Sequence, residues 1–87
     1  MSEFNYETLD TVLDPELHLS GIITFRLGRT GERLYSFSLG RDYETPTGTK
    51  GKTSWFHRRH IAALHRLLDE IEKRMVMDEG WNGKGQV

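Results

Sequence analysis

The chain has 87 residues, 36% of them hydrophobic and 29% charged, with a formal net charge of -1, which bounds it to one small domain that buries roughly 60–65% of its unfolded surface. It holds no cysteine, which excludes disulfides, a thiolate metal site and a thiol nucleophile and fits a reducing compartment. No stretch approaches the ~18 apolar residues of a membrane span, and the acidic start carries no apolar run behind basic residues, so no signal peptide is expected and a cytoplasmic location is. Residues 1–19 contain five acids (Glu3, Glu7, Asp10, Asp14, Glu16) and no Lys or Arg. They read as an acidic N-terminal arm that docks through its Leu and Val side chains. Asp14-Pro15 stops any helix begun near Thr8, because the residue before proline is pushed out of the α region.

Residues 20–78 read as a single sheet-plus-helix domain. Gly21 to Arg29 alternates, with Ile23, Phe25 and Leu27 on one face and Ile22, Thr24 and Arg26 on the other, the pattern of a half-buried strand. Arg29 to Glu32 supplies a Gly-containing turn. Residues 33–43 alternate again, with Tyr35, Phe37 and Leu39 on one side and Leu34, Ser36 and Ser38 on the other. Glu44 to Gly51, with Pro46, Gly48 and Gly51, reads as a loop, and Lys52 to Phe56 as a third strand.

From about Arg58 the period changes. Ile61, Leu64, Leu68, Ile71 and Met75 recur at spacings of three and four residues, one stripe along a helix. Asp69 to Lys73 and Glu70 to Arg74 are acid-before-base pairs, each worth roughly 0.2–0.5 kcal/mol. Gly80 is expected to end the helix, leaving 79–87 as a flexible tail. The expected class is α+β: an antiparallel sheet of three strands, or four if the arm joins, followed by one long C-terminal helix. One helix covers only part of such a sheet, which points to a dimer.

The charges sort by segment. Residues 20–66 carry nine bases against three acids, and residues 67–87 three bases against five acids. The basic segment is also the strand-like, aromatic one. Cations for phosphates and rings for bases are what single-stranded nucleic-acid binding requires. The candidate binding residues are Arg26, Arg41, Tyr43, Lys50, Lys52, Trp55, Arg58 and Arg59. In a strand, Trp55 and Phe56 face opposite sides, so one ring is left outside the core; Tyr35 is a third candidate for stacking.

Other motifs carry less. Gly51-Lys52-Thr53 ends like a phosphate-binding loop, but Pro46 stands where that loop needs glycine and Thr53 leads into a strand, not a helix. His57, His60 and His65 have no carboxylate on a shared face, so no zinc site is expected. Asp42 and Glu44 beside Lys50 or Lys52 resemble a metal-dependent nuclease centre only at unspecific spacing. No enzyme and no cofactor is implied.

The run Tyr35…Leu39-x-Arg41-x-Tyr43…Gly48…Thr53-x-x-Phe56-x-Arg58-x-x-Ile61-x-x-Leu64 resembles small prokaryotic proteins of the positive-cofactor-four-like, single-stranded-DNA-binding transcriptional regulator fold. The likeness spans about residues 20–76. It implies a curved antiparallel sheet followed by a long helix, and a homodimer formed through the helix region. It also implies a groove in which bases stack on aromatic rings and phosphates meet Arg26, Arg41, Lys50, Lys52 and Arg58, with Trp55 beside them. The expected function is single-stranded nucleic-acid binding, of DNA before RNA, with weak sequence preference and a role in transcription or DNA metabolism. The alternative is a protein–protein interaction module. On the first reading, the acidic arm competes with phosphates for the basic domain, and deleting residues 1–16 tightens binding.

Overall fold

The structure, a computed structural model, describes residues 6–85. Four strands precede one helix: β1 Glu7–Asp14, β2 Leu19–Leu27, β3 Arg33–Glu44 and β4 Lys50–Thr53, then a 3-10 turn Arg58–His60 and α1 Ile61–Gly85. The sheet is antiparallel and its order follows the chain, β1-β2-β3-β4. None of the described helices is long and apolar enough to cross a membrane.

The arm therefore supplies the fourth strand. Residues 7–14 pair with β2, and Val12 is buried in the core with Leu9 and Leu17 packed against it. Asp14-Pro15 does its work between strands: Asp14 Oδ1 accepts the Leu17 N–H at 3.3 Å, and His18 turns the chain at φ 58°. The His18 carbonyl then accepts the Asp42 N–H at 2.9 Å, which ties the turn to β3.

α1 lies over β1 and β2. Ile71 sits so close to β2 that a Cβ at position 21 would lie 2.6 Å from its Cδ1, so the helix reaches this depth because Gly21 has no side chain. Val12, Leu19, Ile23, Ala63, Leu67 and Ile71 form the core. Two further contacts set the rotation of the helix. Arg74 pairs with Asp10 at 2.5 Å and Arg66 approaches Asp14 at 3.9 Å, both on β1. At roughly 100° per residue, the side of α1 carrying Ile61, Leu64, Leu68 and Met75 then overhangs β3.

That rotation corrects the expected stripe. Ile71 is buried, but Ile61 is 52% exposed and Leu68 is also exposed, while Ala63 and Leu67 take their places in the core. The sheet face shifts in the same sense. Ile23 and Phe25 are buried, whereas Leu27 and Phe37, which share their side of the sheet, are exposed, Phe37 at 48%. At its Arg33–Tyr35 end β3 is held to the helix by Asp78, which accepts from both Arg33 and the Tyr35 hydroxyl.

Two boundaries also differ from expectation. β4 begins at Lys50 and ends at Thr53, so Trp55 and Phe56 lie beyond it. The helix runs through Gly80 to Gly85, so most of the expected 79–87 tail is helical. A single glycine in a helix interior costs only about 1 kcal/mol, too little to stop a long helix. Of the expected ion pairs, Glu70–Arg74 forms at 3.0 Å.

Candidate nucleic-acid interface

β4 pairs only with Arg41–Glu44 of β3. This short hairpin and the segment that leads from it into α1 bring most of the candidate residues to one end of the sheet. Direct cross-strand pairs share a face, so the register sorts them. Arg41, opposite Leu19 and Thr53, and Tyr43, opposite Gly51, lie on the helix side. Lys50, opposite Glu44, and Lys52, opposite Asp42, lie on the other side.

Tyr43 rests on Gly51, where an added Cβ would come within 2.7 Å of its hydroxyl oxygen, and the ring stays 38% exposed. Arg41 is half-buried, and its Nε donates to the Trp55 carbonyl at 3.1 Å. The Trp55 N–H donates to Thr53 Oγ1 at 3.1 Å. With its backbone held at both ends, Trp55 presents a ring that is 81% exposed, while Phe56 turns inward against the core. Strand alternation predicts one ring in and one ring out; the two hydrogen bonds of an irregular segment produce that outcome instead.

Arg58 and Arg59 follow at once and are exposed, with no carboxylate in ion-pair range among the described residues. Lys52 pairs with Asp42 at 3.0 Å, an exposed bridge worth little in water. An open cleft of about 500 Å³ is lined by His18, Asp42, Tyr43, Glu44, Lys50 and Lys52 along with Gly51. A second, of about 240 Å³, opens where β4 ends, between Ser20, Ile22, Ser38 and Ser54. Lys52 belongs to both.

Arg26 is not part of this cluster. It pairs across from Leu34, seven β2 residues away from Leu19, the partner of Arg41, a separation of about 23 Å along the strand. Its face mixes Thr24 and Ser36, whose hydroxyls lie 2.7 Å apart, with the exposed side chains of Ile22 and Leu34. Tyr35 is removed from the stacking candidates by its bond to Asp78. Burial, then that hydrogen bond and the Asp78 charge, push its phenol up to about 12.

The competing-arm expectation changes as well. Among the arm's carboxylates, Asp10 and Asp14 turn to Arg74 and Arg66 of the helix, on the sheet edge opposite β4. The Thr11 backbone N–H, then Arg74, hold the Asp10 carboxyl below its ordinary range. Deleting residues 1–16 would strip Val12 and an edge strand from the core, so that deletion tests folding and not phosphate competition.

His57 and His60, which the sequence pattern excludes as a zinc pair, form a cap at the start of the helix, with His60 buried beside the core. His60 is 1% exposed, and its Nδ1 accepts the His57 backbone N–H at 2.9 Å while its own backbone N–H donates to the His57 carbonyl at 2.9 Å. The ring stands edge-on to Phe56 at 6.3 Å between centroids. Burial, then the charges of Arg59, Arg41 and His57, pull its pKa below that of an ordinary histidine. The three-residue spacing of a helix N-cap pair is the signal in the sequence that points to this role. Comparison of the chain with family models, curated proteins and solved structures gives no match in any of the three.

Proposed function

We propose that this protein binds single-stranded nucleic acid without catalysis, at the end of the sheet formed by the β3–β4 hairpin and the segment leading into α1. One observation carries the reading: an indole ring left bare on a backbone pinned by Arg41, in the same short segment as the exposed Arg58 and Arg59. A single strand offers exposed base faces to Trp55 and Tyr43, and its phosphates lie within the reach of Arg41, Arg58, Arg59, Lys50 and Lys52. A duplex hides its base faces and gains only the charge contribution. Arg26 lies too far away to share one nucleotide with this cluster. It would meet a strand only after several nucleotides of path across the face of Thr24, Ser36 and Ser38. The likeness of the Arg33–Leu64 run to single-stranded-DNA-binding regulators points the same way, to a cytoplasmic role in transcription or DNA metabolism.

The functional unit on this reading is a homodimer. Ile61, Leu68 and Phe37 are exposed apolar side chains on the helix side of β3, whose outer edge over Arg33–Gly40 has no partner strand among the described residues. A second copy of the chain suits it by charge. Antiparallel pairing of two α1 helices centred on Leu68 sets Ile61 opposite Met75 of the partner subunit. The same pairing brings His65, near the start of the helix, alongside Glu72 of the partner subunit, while Arg58, in the 3-10 turn ahead of α1, stays with the nucleic-acid interface. The alternative, an interaction module for some other protein, uses the same surface but leaves Trp55 and its arginines without a role.

The test is fluorescence anisotropy of labelled dT oligomers at low and moderate salt, with a matched duplex as control. Binding that weakens with salt and disfavours the duplex is expected. Absence of single-strand binding at low salt would contradict the proposal.

A further inference from the structure

We propose that His60 is a proton-operated latch on the segment that carries Trp55, Arg58 and Arg59: neutral, it holds the segment against the sheet, and protonated, it lets it go.

The geometry demands a neutral ring. An Nδ1 that accepts the His57 N–H at 2.9 Å cannot carry a proton of its own. Protonation would set two N–H donors against each other inside a nearly solvent-free site. It would also bury a cation among like charges, because the charged groups facing His60 are Arg41 from β3 and His57 and Arg59 from the turn. No carboxylate lies within ion-pair distance of it among the described residues. A buried charge without a partner is not tolerated; the structure gives way first, and the part with least holding it is the turn. That turn is three residues long and joins a four-residue strand to the helix. Its other tethers are Phe56 in the core and the Arg41–Trp55 bond.

The direction of the effect sets it apart from simple electrostatics. Acid adds positive charge to a protein as a whole, and added positive charge by itself strengthens binding to phosphates. A latch that opens in acid does the reverse, since it scatters the ring and arginines that form the interface. The consequence for binding rests on the nucleic-acid reading above; the latch does not.

The test uses the full chain with Trp81→Phe, which leaves Trp55 as the sole indole. Amide exchange of His57, steady-state anisotropy of Trp55 and affinity for a dT oligomer are followed from about pH 7.5 to about pH 5 at constant ionic strength. His57 protection and Trp55 anisotropy are expected to fall together, and affinity to drop several-fold. In His60→Asn, whose Oδ1 replaces Nδ1 as an acceptor that does not titrate here, all three changes should vanish. In His65→Gln they should persist. A His60→Asn protein that titrates like the parent, or a His57 amide equally protected at both ends of the range, overturns the latch. If His60→Asn does not fold at neutral pH, NMR titration of the His60 ring in the parent decides. An ordinary or raised pKa there overturns the proposal, and a depressed one that coincides with loss of His57 protection supports it. Loss of His57 protection in a protein that binds no oligomer at any pH would keep the latch and sink the nucleic-acid reading.

Discussion

The Nε of Arg41 donates a hydrogen bond to the carbonyl of Trp55 at 3.1 Å, joining the end of β3 to the segment that precedes the helix. Because this bond takes the backbone and leaves the indole untouched, the ring is positioned without being covered. Trp55→Ala should weaken single-strand binding by about 1–3 kcal/mol with an unchanged far-UV spectrum. Arg41→Ala should lose part of the same energy by loosening the ring. The double variant should then lose less than the two single losses added together, measurable as a double-mutant cycle in dT affinity.

Arg58 and Arg59 act on charge alone. Replacing both with Ala should lower dT affinity most at low salt. It should also flatten the log–log salt dependence by about 0.7 for each phosphate that is no longer neutralised. Equal slopes in parent and variant would remove both from the interface.

Asp78 is the clasp between α1 and β3, accepting from Arg33 at 2.9 Å and from the Tyr35 hydroxyl, while the Arg33 guanidinium lies 4.2 Å over the Phe25 ring. Asp78→Ala should cost about 1–3 kcal/mol, read as a lower urea midpoint at constant slope. Tyr35 ionises at about 12 in the parent, held up by burial and Asp78. Alkaline titration of the variant should therefore bring that phenol down toward the ordinary tyrosine value of about 10.

Asp10 gives a dependence at the acid end. Its carboxyl is depressed by the Thr11 N–H and by Arg74, so the unfolded chain takes up its proton first as pH falls. The stabilisation it provides is complete above the ordinary aspartate value of about 3.9 and fades as pH drops below it. Asp10→Asn should lower the urea midpoint slightly at neutral pH and leave it unchanged near pH 2.

The overhanging stripe predicts the assembly. Leu68→Asp, at the centre of the proposed helix pairing, should convert a dimer into a monomer by sedimentation while the helix content of the fold is kept. A parent chain that sediments as a monomer at all accessible concentrations would contradict the pairing.

β2 and β3 are readable from the residues because their alternation is strict, and α1 because its apolar period is sustained over several turns. β1 is hidden by composition: acids scattered through Glu7–Asp14 look like a solvated arm until Arg66 and Arg74, more than fifty residues later in the chain, are seen to receive two of them. The phase of the helix is obscured for a related reason. Ala63 is too small to stand out beside Ile61, yet it is 1% exposed and belongs to the core. Charge sorting marks the basic segment but does not separate a segment from a face, so it groups Arg26 with residues about 23 Å away. The three-residue spacing of His57 and His60 fits an N-cap pair, but which ring is buried and which atom accepts become visible only in the structure.

The most direct measurement is anisotropy of a labelled dT oligomer with the parent protein and with Trp55→Ala, at low and at moderate salt, against a matched duplex. The account predicts micromolar or tighter single-strand binding that falls with salt, exceeds duplex binding and weakens in the variant. A parent that leaves the oligomer free at low salt, or a Trp55→Ala protein that binds it equally well, would contradict it.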